Sequence, residues 1–114
     1  MSHCLFCRMV DGQAHATILH EDDRLLVIQD INPQAPLHCL VIPKKHIPTL
    51  NDLAPEDDAL IGEMVRRAAA IARGRGFEAR GYRTVFNCNR EAGQSVYHIH
   101  LHVLGGRPFG WPPG

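Results

Sequence analysis

The sequence predicts an α+β domain built on a mainly antiparallel, five-stranded sheet with one long and one short helix. Three observations lead there. Strand-like runs arrive in hairpin order, one amphipathic helix interrupts them, and the last run, "YHIHLHVL", alternates histidines with apolar residues. In a strand that alternation sends His98, His100 and His102 to one face and Ile99, Leu101 and Val103 to the other. The apolar face explains a sheet packed on a core. The imidazole face needs another reason, because three rings bury less apolar surface than aliphatic side chains would and every ring nitrogen requires a partner.

The elements follow in order. "CLFCRMV" suits about two helical turns, with Leu5, Phe6, Met9 and Val10 apolar, before "DGQ" breaks them. "TILHEDDRLLVIQDINP" reads as a hairpin, with strands near Thr17 to His20 and Leu25 to Asp30 around a turn at Glu21 to Asp23. "LHCLVIP" is a buried-strand candidate ending at Pro43, and "KKHIPTLNDL" connects it to a helix. Pro55 suits that helix's first turn, Glu56, Asp57 and Asp58 favour its positive end, and Arg73 with Gly74 suits its exit. Leu60, Ile61, Met64, Val65, Ala68, Ile71 and Ala72 recur at helical spacing and form its expected core face. Two further strands, "YRTVFNCN" and "YHIHLHVL", flank the connection "REAGQSV".

With 114 residues the chain suits one domain, residues 1–114, so a single core must carry the whole site. Twelve basic residues balance 12 acidic ones, which leaves no footprint for nucleic acid or an anionic membrane and favours a small ligand. No apolar run reaches the roughly 20 residues of a membrane span, and "MSHCLFCRMV" lacks the regions of a signal peptide. A cytoplasmic location is expected, and with it reduced thiols. Cys39 and Cys88 sit in strand-like runs, where a thiol behaves as a small apolar side chain.

Two chemistries compete for the histidines. Neighbouring rings on one strand face start about 7 Å apart, so two could converge on an ion but three in a row would converge poorly. Cys4 and Cys7 form a C-x2-C pair, half of a four-ligand structural zinc site that His46 and His98 could complete; the competing reading is an apolar helix start. As a catalyst, a neutral imidazole is a competent nucleophile near pH 7, and the central His100 is best placed for it. His102 and His38 could then donate to anionic oxygens. "REAGQSV" adds Gly93, which permits close backbone approach, a hydroxyl at Ser95, and amides suited to an anion, with Asn87 nearby; its bland counterpart is an ordinary hairpin loop.

"HIHLHVL", with "DINPQAPLHCLVIPKKHI", "GYRTVFNCN", "GQSVYHIHLHVLGGR" and "WPPG", resembles the histidine triad family over nearly the full chain, in particular its small dimeric purine nucleoside phosphoramidases. That resemblance implies the histidine triad fold, pairing as a homodimer, and cleavage of the P–N bond of adenosine or guanosine 5′-phosphoramidates. His100 would form a nucleotidyl-histidine intermediate and His38 would be the outlying fourth histidine. Asn87, Gly93, Gln94, Ser95, Val96 and His102 would contact phosphate, with Ser95 also protonating the leaving amine. Asp30 would bind the ribose hydroxyls, and Leu5, Phe6, Met9, Ile28 and Ile31 would clasp the base. Trp111 would help define substrate choice from the tail. Structural zinc on Cys4, Cys7, His46 and His98 is implied, without a catalytic metal. The composition of "NCNREAGQS" and the tail "RPFGWPPG" depart from the common phosphoramidase pattern. Competing readings are a dinucleoside polyphosphate hydrolase or nucleotidyl transferase, a nucleotide-binding regulatory module, and a zinc hydrolase using all three strand histidines.

Overall fold

The computed structural model describes residues 3–114. Helix α1 spans Leu5–Val10, β1 Ile18–Glu21, β2 Leu25–Gln29, β3 Leu37–Pro43, α2 Asp58–Gly74, β4 Tyr82–Val85 and β5 Leu101–Gly105. The five strands form one sheet in the order β1-β2-β3-β5-β4, and every neighbouring pair is antiparallel. Cys4 caps α1, its sulfur accepting from the Cys7 N–H, and Gly12, with φ of 75°, lies just beyond the helix end. Asp22 closes the β1–β2 turn by accepting from the N–H groups of both Arg24 and Leu25 at 2.9 Å. No helix of the described residues is long and apolar enough to cross a membrane.

Alternation on the central strands divides the molecule into two layers. Leu25, Val27, Leu37, Cys39, Val41, Leu101 and Val103 face α2, where Leu60, Met64 and Ala68 complete the main core. Full burial of a side chain such as Leu60 or Met64 contributes about 1.5–3 kcal/mol. On the other face Leu26, Ile28, Leu40 and Ile42 pack with Phe6 of α1. Both faces of β2 and β3 are therefore covered, which is why these runs read as almost continuously apolar.

The structure corrects two expectations. Val65, assigned to the core face of α2, is 49% exposed, because the buried stripe narrows to Leu60, Met64, Ala68 and Ala72. The final two strands are also shorter than "YRTVFNCN" and "YHIHLHVL" imply. Pairing of β3 with β5 begins at Val41 opposite Leu101, so His98 and His100 precede the ladder. There the Ile99 N–H donates to the Ile47 carbonyl at 2.8 Å instead of to a strand neighbour. Only His102 lies on β5, and the division of the three histidines between strand and approach segment separates their surroundings.

Candidate active site and metal-ligand cluster

Register on β3 and β5 assembles the first group. His102 lies opposite Leu40 and His38 opposite Leu104, so the two histidines are diagonal neighbours on the α1 side of the sheet. His38 Nε2 and His102 Nδ1 are 2.9 Å apart, and Asp30 Oδ2 lies 3.3 Å from His38 Nε2. His100 stands beside them, with its ring centroid 5.1 Å from that of His102 and edge-on to Phe6 at 5.0 Å. Its Nδ1 is 2.8 Å from the His98 carbonyl. A carbonyl only accepts, so Nδ1 carries the proton and Nε2 holds the lone pair. His100 thus has the tautomer a nucleophilic Nε2 requires.

Burial keeps these rings neutral. Desolvation, followed by the neighbouring His100 and His38, pushes His102 down to about 4 from the usual 6.5. His38 and His100 are also lowered, again chiefly by desolvation and against the opposing pull of Asp30. A stability consequence follows for His102. Between about pH 4 and 6.5 the unfolded chain binds a proton there that the folded chain refuses, so stability is lost as pH falls through that window. Urea midpoints are expected to drop from pH 7 to pH 4.5, with a shallower drop in His102→Gln; equal slopes would show that His102 is solvated in the folded protein.

A cavity of about 200 Å³ opens onto His100 and His102, lined also by Leu5, Phe6, Met9, Ile28, Asp30, Ile31, Ser95 and Val96. Its walls are mainly aliphatic and aromatic, with a carboxylate, a hydroxyl and two histidines among them, a lining that suits a flat apolar ring carrying a polar tail. Gln29 and Leu40 line it as well, although the sequence reading did not select them. Gly93 adopts φ of 83° at the end of a short 3-10 turn, a conformation that favours glycine.

Three predicted residues lie elsewhere in this arrangement. Gln94 is buried, and its side chain ties the loop together: Oε1 accepts from the Asn89 N–H at 2.8 Å, while Nε2 donates to the carbonyls of Pro48 at 2.8 Å and Val96 at 3.1 Å. Asn87 and Trp111 line a separate surface groove along β4, and Trp111 is 84% exposed.

The second group uses His98. Its Nε2 lies 2.7 Å from the Pro43 carbonyl and therefore carries the proton, which leaves Nδ1 as a lone-pair donor. Burial holds this ring down to about 4. Around Nδ1 gather Cys4 Sγ at 3.4 Å, Cys7 Sγ at 3.5 Å and His46 Nδ1 at 3.1 Å; Cys7 Sγ is 3.3 Å from His46 Nδ1. All four donor atoms lie within 4.8 Å of one another. Zinc bonds of about 2.0–2.3 Å in a tetrahedron set donor separations of roughly 3.3–3.8 Å, so these residues fit the ion with small adjustment. The Pro43 carbonyl supplies the outer hydrogen bond that orients a ligating imidazole. Cys39, by contrast, is buried away from both groups, and desolvation pushes its thiol up to about 11.

Known proteins resemble this chain in sequence and in fold. A family model described as "Scavenger mRNA decapping enzyme C-term binding" matches residues 3–108. The chain is 44% identical over 106 residues to the purine nucleoside phosphoramidase of Escherichia coli K12, covering 93% of this chain and 89% of that protein. A HIT family hydrolase from Legionella pneumophila superposes with a TM-score of 0.97 at 51% identity, covering 98% of this chain and 100% of the other. A zinc-bound histidine triad family protein from Mycobacterium smegmatis gives a TM-score of 0.80 at 42% identity, over 92% of this chain and 76% of that one.

Proposed function

From the premise that this chain belongs to the histidine triad family, we propose that it hydrolyses the P–N bond of purine nucleoside 5′-phosphoramidates. The observation that carries the reading is His100 in the lining of the mainly apolar cavity, neutral and with Nε2 unprotonated. The purine lies among Leu5, Phe6, Met9, Ile28 and Ile31, and Asp30 accepts from the ribose hydroxyls. His100 Nε2 attacks phosphorus, a P–N bond to the ring forms, and the bond to the leaving amine breaks. Ser95 supplies the proton with which the amine departs. Water then attacks phosphorus and returns a proton to Ser95, the P–N bond to the ring breaks, and the nucleoside monophosphate leaves with the imidazole regenerated.

His102 and the amides of the loop at Gly93 to Val96 stabilise the equatorial oxygens as charge develops on them. His38 acts behind His102, and Gln94 holds the loop that presents Ser95. Zinc fits Cys4, Cys7, His46 and His98, where it would fasten α1 to the segment entering β5. The chemical step uses no metal, and the partners are nucleotide and a second copy of the chain. The exposed outer edge of β4 and the Trp111 groove beside it suit that pairing.

Side-by-side turnover of adenosine 5′-phosphoramidate and diadenosine polyphosphate tests the reading. Faster AMP release from the phosphoramidate is expected. Preference for the polyphosphate would assign the same histidine to a dinucleoside polyphosphate hydrolase.

A further inference from the structure

Two bonds in the loop between β2 and β3 stand outside the chemistry above. The Gln34 N–H donates to His38 Nδ1 at 3.0 Å, and the Gln34 carbonyl accepts from Arg107 Nε at 2.9 Å. The first bond fixes a tautomer. A ring nitrogen that accepts a hydrogen bond carries no proton, so neutral His38 carries its proton on Nε2. That proton faces His102 Nδ1 across 2.9 Å, which makes Nδ1 an acceptor and leaves the His102 proton on its own Nε2. His102 lines the cavity, so Nε2–H is the donor it offers to an anionic oxygen there. With the opposite tautomers, the Gln34 N–H would meet a second N–H, and His102 would present a lone pair to negative charge.

The second bond holds the first in register. The loop's neck is closed by the Asp30 N–H donating to the His38 carbonyl at 3.0 Å, while Gln34 lies at its far end. Arg107 reaches it from the segment leaving β5, its NH1 donating to the Pro108 carbonyl at 3.0 Å and its guanidinium stacked 4.4 Å from the Phe109 ring centroid. Gly106 permits the approach: its φ is 98°, and a Cβ there would stand 2.8 Å from Pro36 Cβ. Asp30, His38 and His102 also have donor atoms within 4.8 Å of one another. A cation is disfavoured among them, because the two ring nitrogens already share a proton that the Gln34 N–H keeps from moving to His38 Nδ1.

We propose that Arg107 is a positioning residue that, through the backbone of Gln34, sets the tautomers of His38 and His102 and so gives the phosphoryl centre a hydrogen-bond donor. The catalytic half of this proposal rests on the phosphoramidase reading; the tautomeric half stands without it.

The test combines imidazole ¹⁵N NMR of wild type, Arg107→Ala and Arg107→Lys with kcat and KM for adenosine 5′-phosphoramidate. Wild type is expected to show Nε2–H on both His38 and His102. Arg107→Ala should show mixed tautomers on both rings and a kcat lower by about 10- to 100-fold, with KM within about twofold. Arg107→Lys, which retains a donor, should recover part of each. Wild-type His38 protonated at Nδ1, or Arg107→Ala rings identical to wild type, would overturn the proposal. Mixed tautomers with unchanged kcat would overturn its catalytic half. Wild type that shows the expected tautomers but releases no AMP supports the tautomeric half and removes the phosphoramidase reading instead.

Discussion

Replacing His100 by alanine is expected to lower AMP release from adenosine 5′-phosphoramidate by on the order of 10³- to 10⁶-fold while leaving nucleotide affinity within a few-fold of wild type. The asymmetry follows from where the ring lies. His100 lines the cavity from the segment entering β5, whereas most of the apolar wall and Asp30, which would hold the nucleoside, belong to α1, β2 and the loop after β2. Truncation removes the attacking lone pair and leaves that clasp in place. The fold should survive as well, because the change deletes one imidazole packed on Phe6 and spares the aliphatic core beneath α2. The expected cost is about 1–3 kcal/mol, from lost packing and a His98 carbonyl deprived of its donor. Calorimetric binding of AMP alongside rapid-quench turnover checks both halves. Substantial turnover by the variant would move the nucleophile to another side chain, and lost AMP binding would make His100 a binding group first.

The same ring shows what the sequence revealed and what it concealed. Alternation correctly placed Ile99, Leu101 and Val103 on the α2 core and the histidines on the opposite side. It also implied one continuous strand, yet the ladder starts at Leu101, because the Ile99 N–H takes the Ile47 carbonyl. No residue type announces that exchange; it depends on where a distant segment passes. Met64 and Val65 are both apolar and adjacent, about 100° apart round the helix, and the buried stripe of Leu60, Met64, Ala68 and Ala72 takes the first and leaves the second exposed. Cys4 and Cys7 were legible as a C-x2-C pair, whereas His46 and His98 were candidates that the family resemblance joined to it, because nothing in their spacing ties them to the cysteines. Gln34 was invisible for the opposite reason. It acts through a backbone N–H, a group that nearly every residue has, and its partner ring lies four positions along the chain.

Loss of the metal cluster should produce the largest change in stability. Protein purified without chelator is expected to contain about one zinc per chain, and Cys7→Ser to contain none, because Cys7 Sγ contacts both His46 and His98 and a neutral hydroxyl is a poor replacement for thiolate. Binding to the folded state stabilises it by mass action, about 4 kcal/mol when free zinc is a thousandfold above its dissociation constant. For a chain of this size that corresponds to a melting temperature lower by roughly 12–22 °C in the variant. The effect should be local in origin, since the four ligands come from α1 and its N-cap, the segment after β3 and the segment entering β5, the last two already joined by the Ile99 N–H to Ile47 carbonyl bond and the ion adding the tie to α1. Without the ion, α1 is held by the packing of Phe6, Met9 and Val10 on the second apolar cluster, and the position of Leu5 against the cavity loses its nearest anchor. A chelator separates metal from packing. Wild type stripped of zinc should melt close to Cys7→Ser, and zinc should restore only the wild type. If stripped wild type kept its original melting temperature, the cysteines would be packing groups at the start of a helix, and the donor spacing around His98 Nδ1 would have no energetic role.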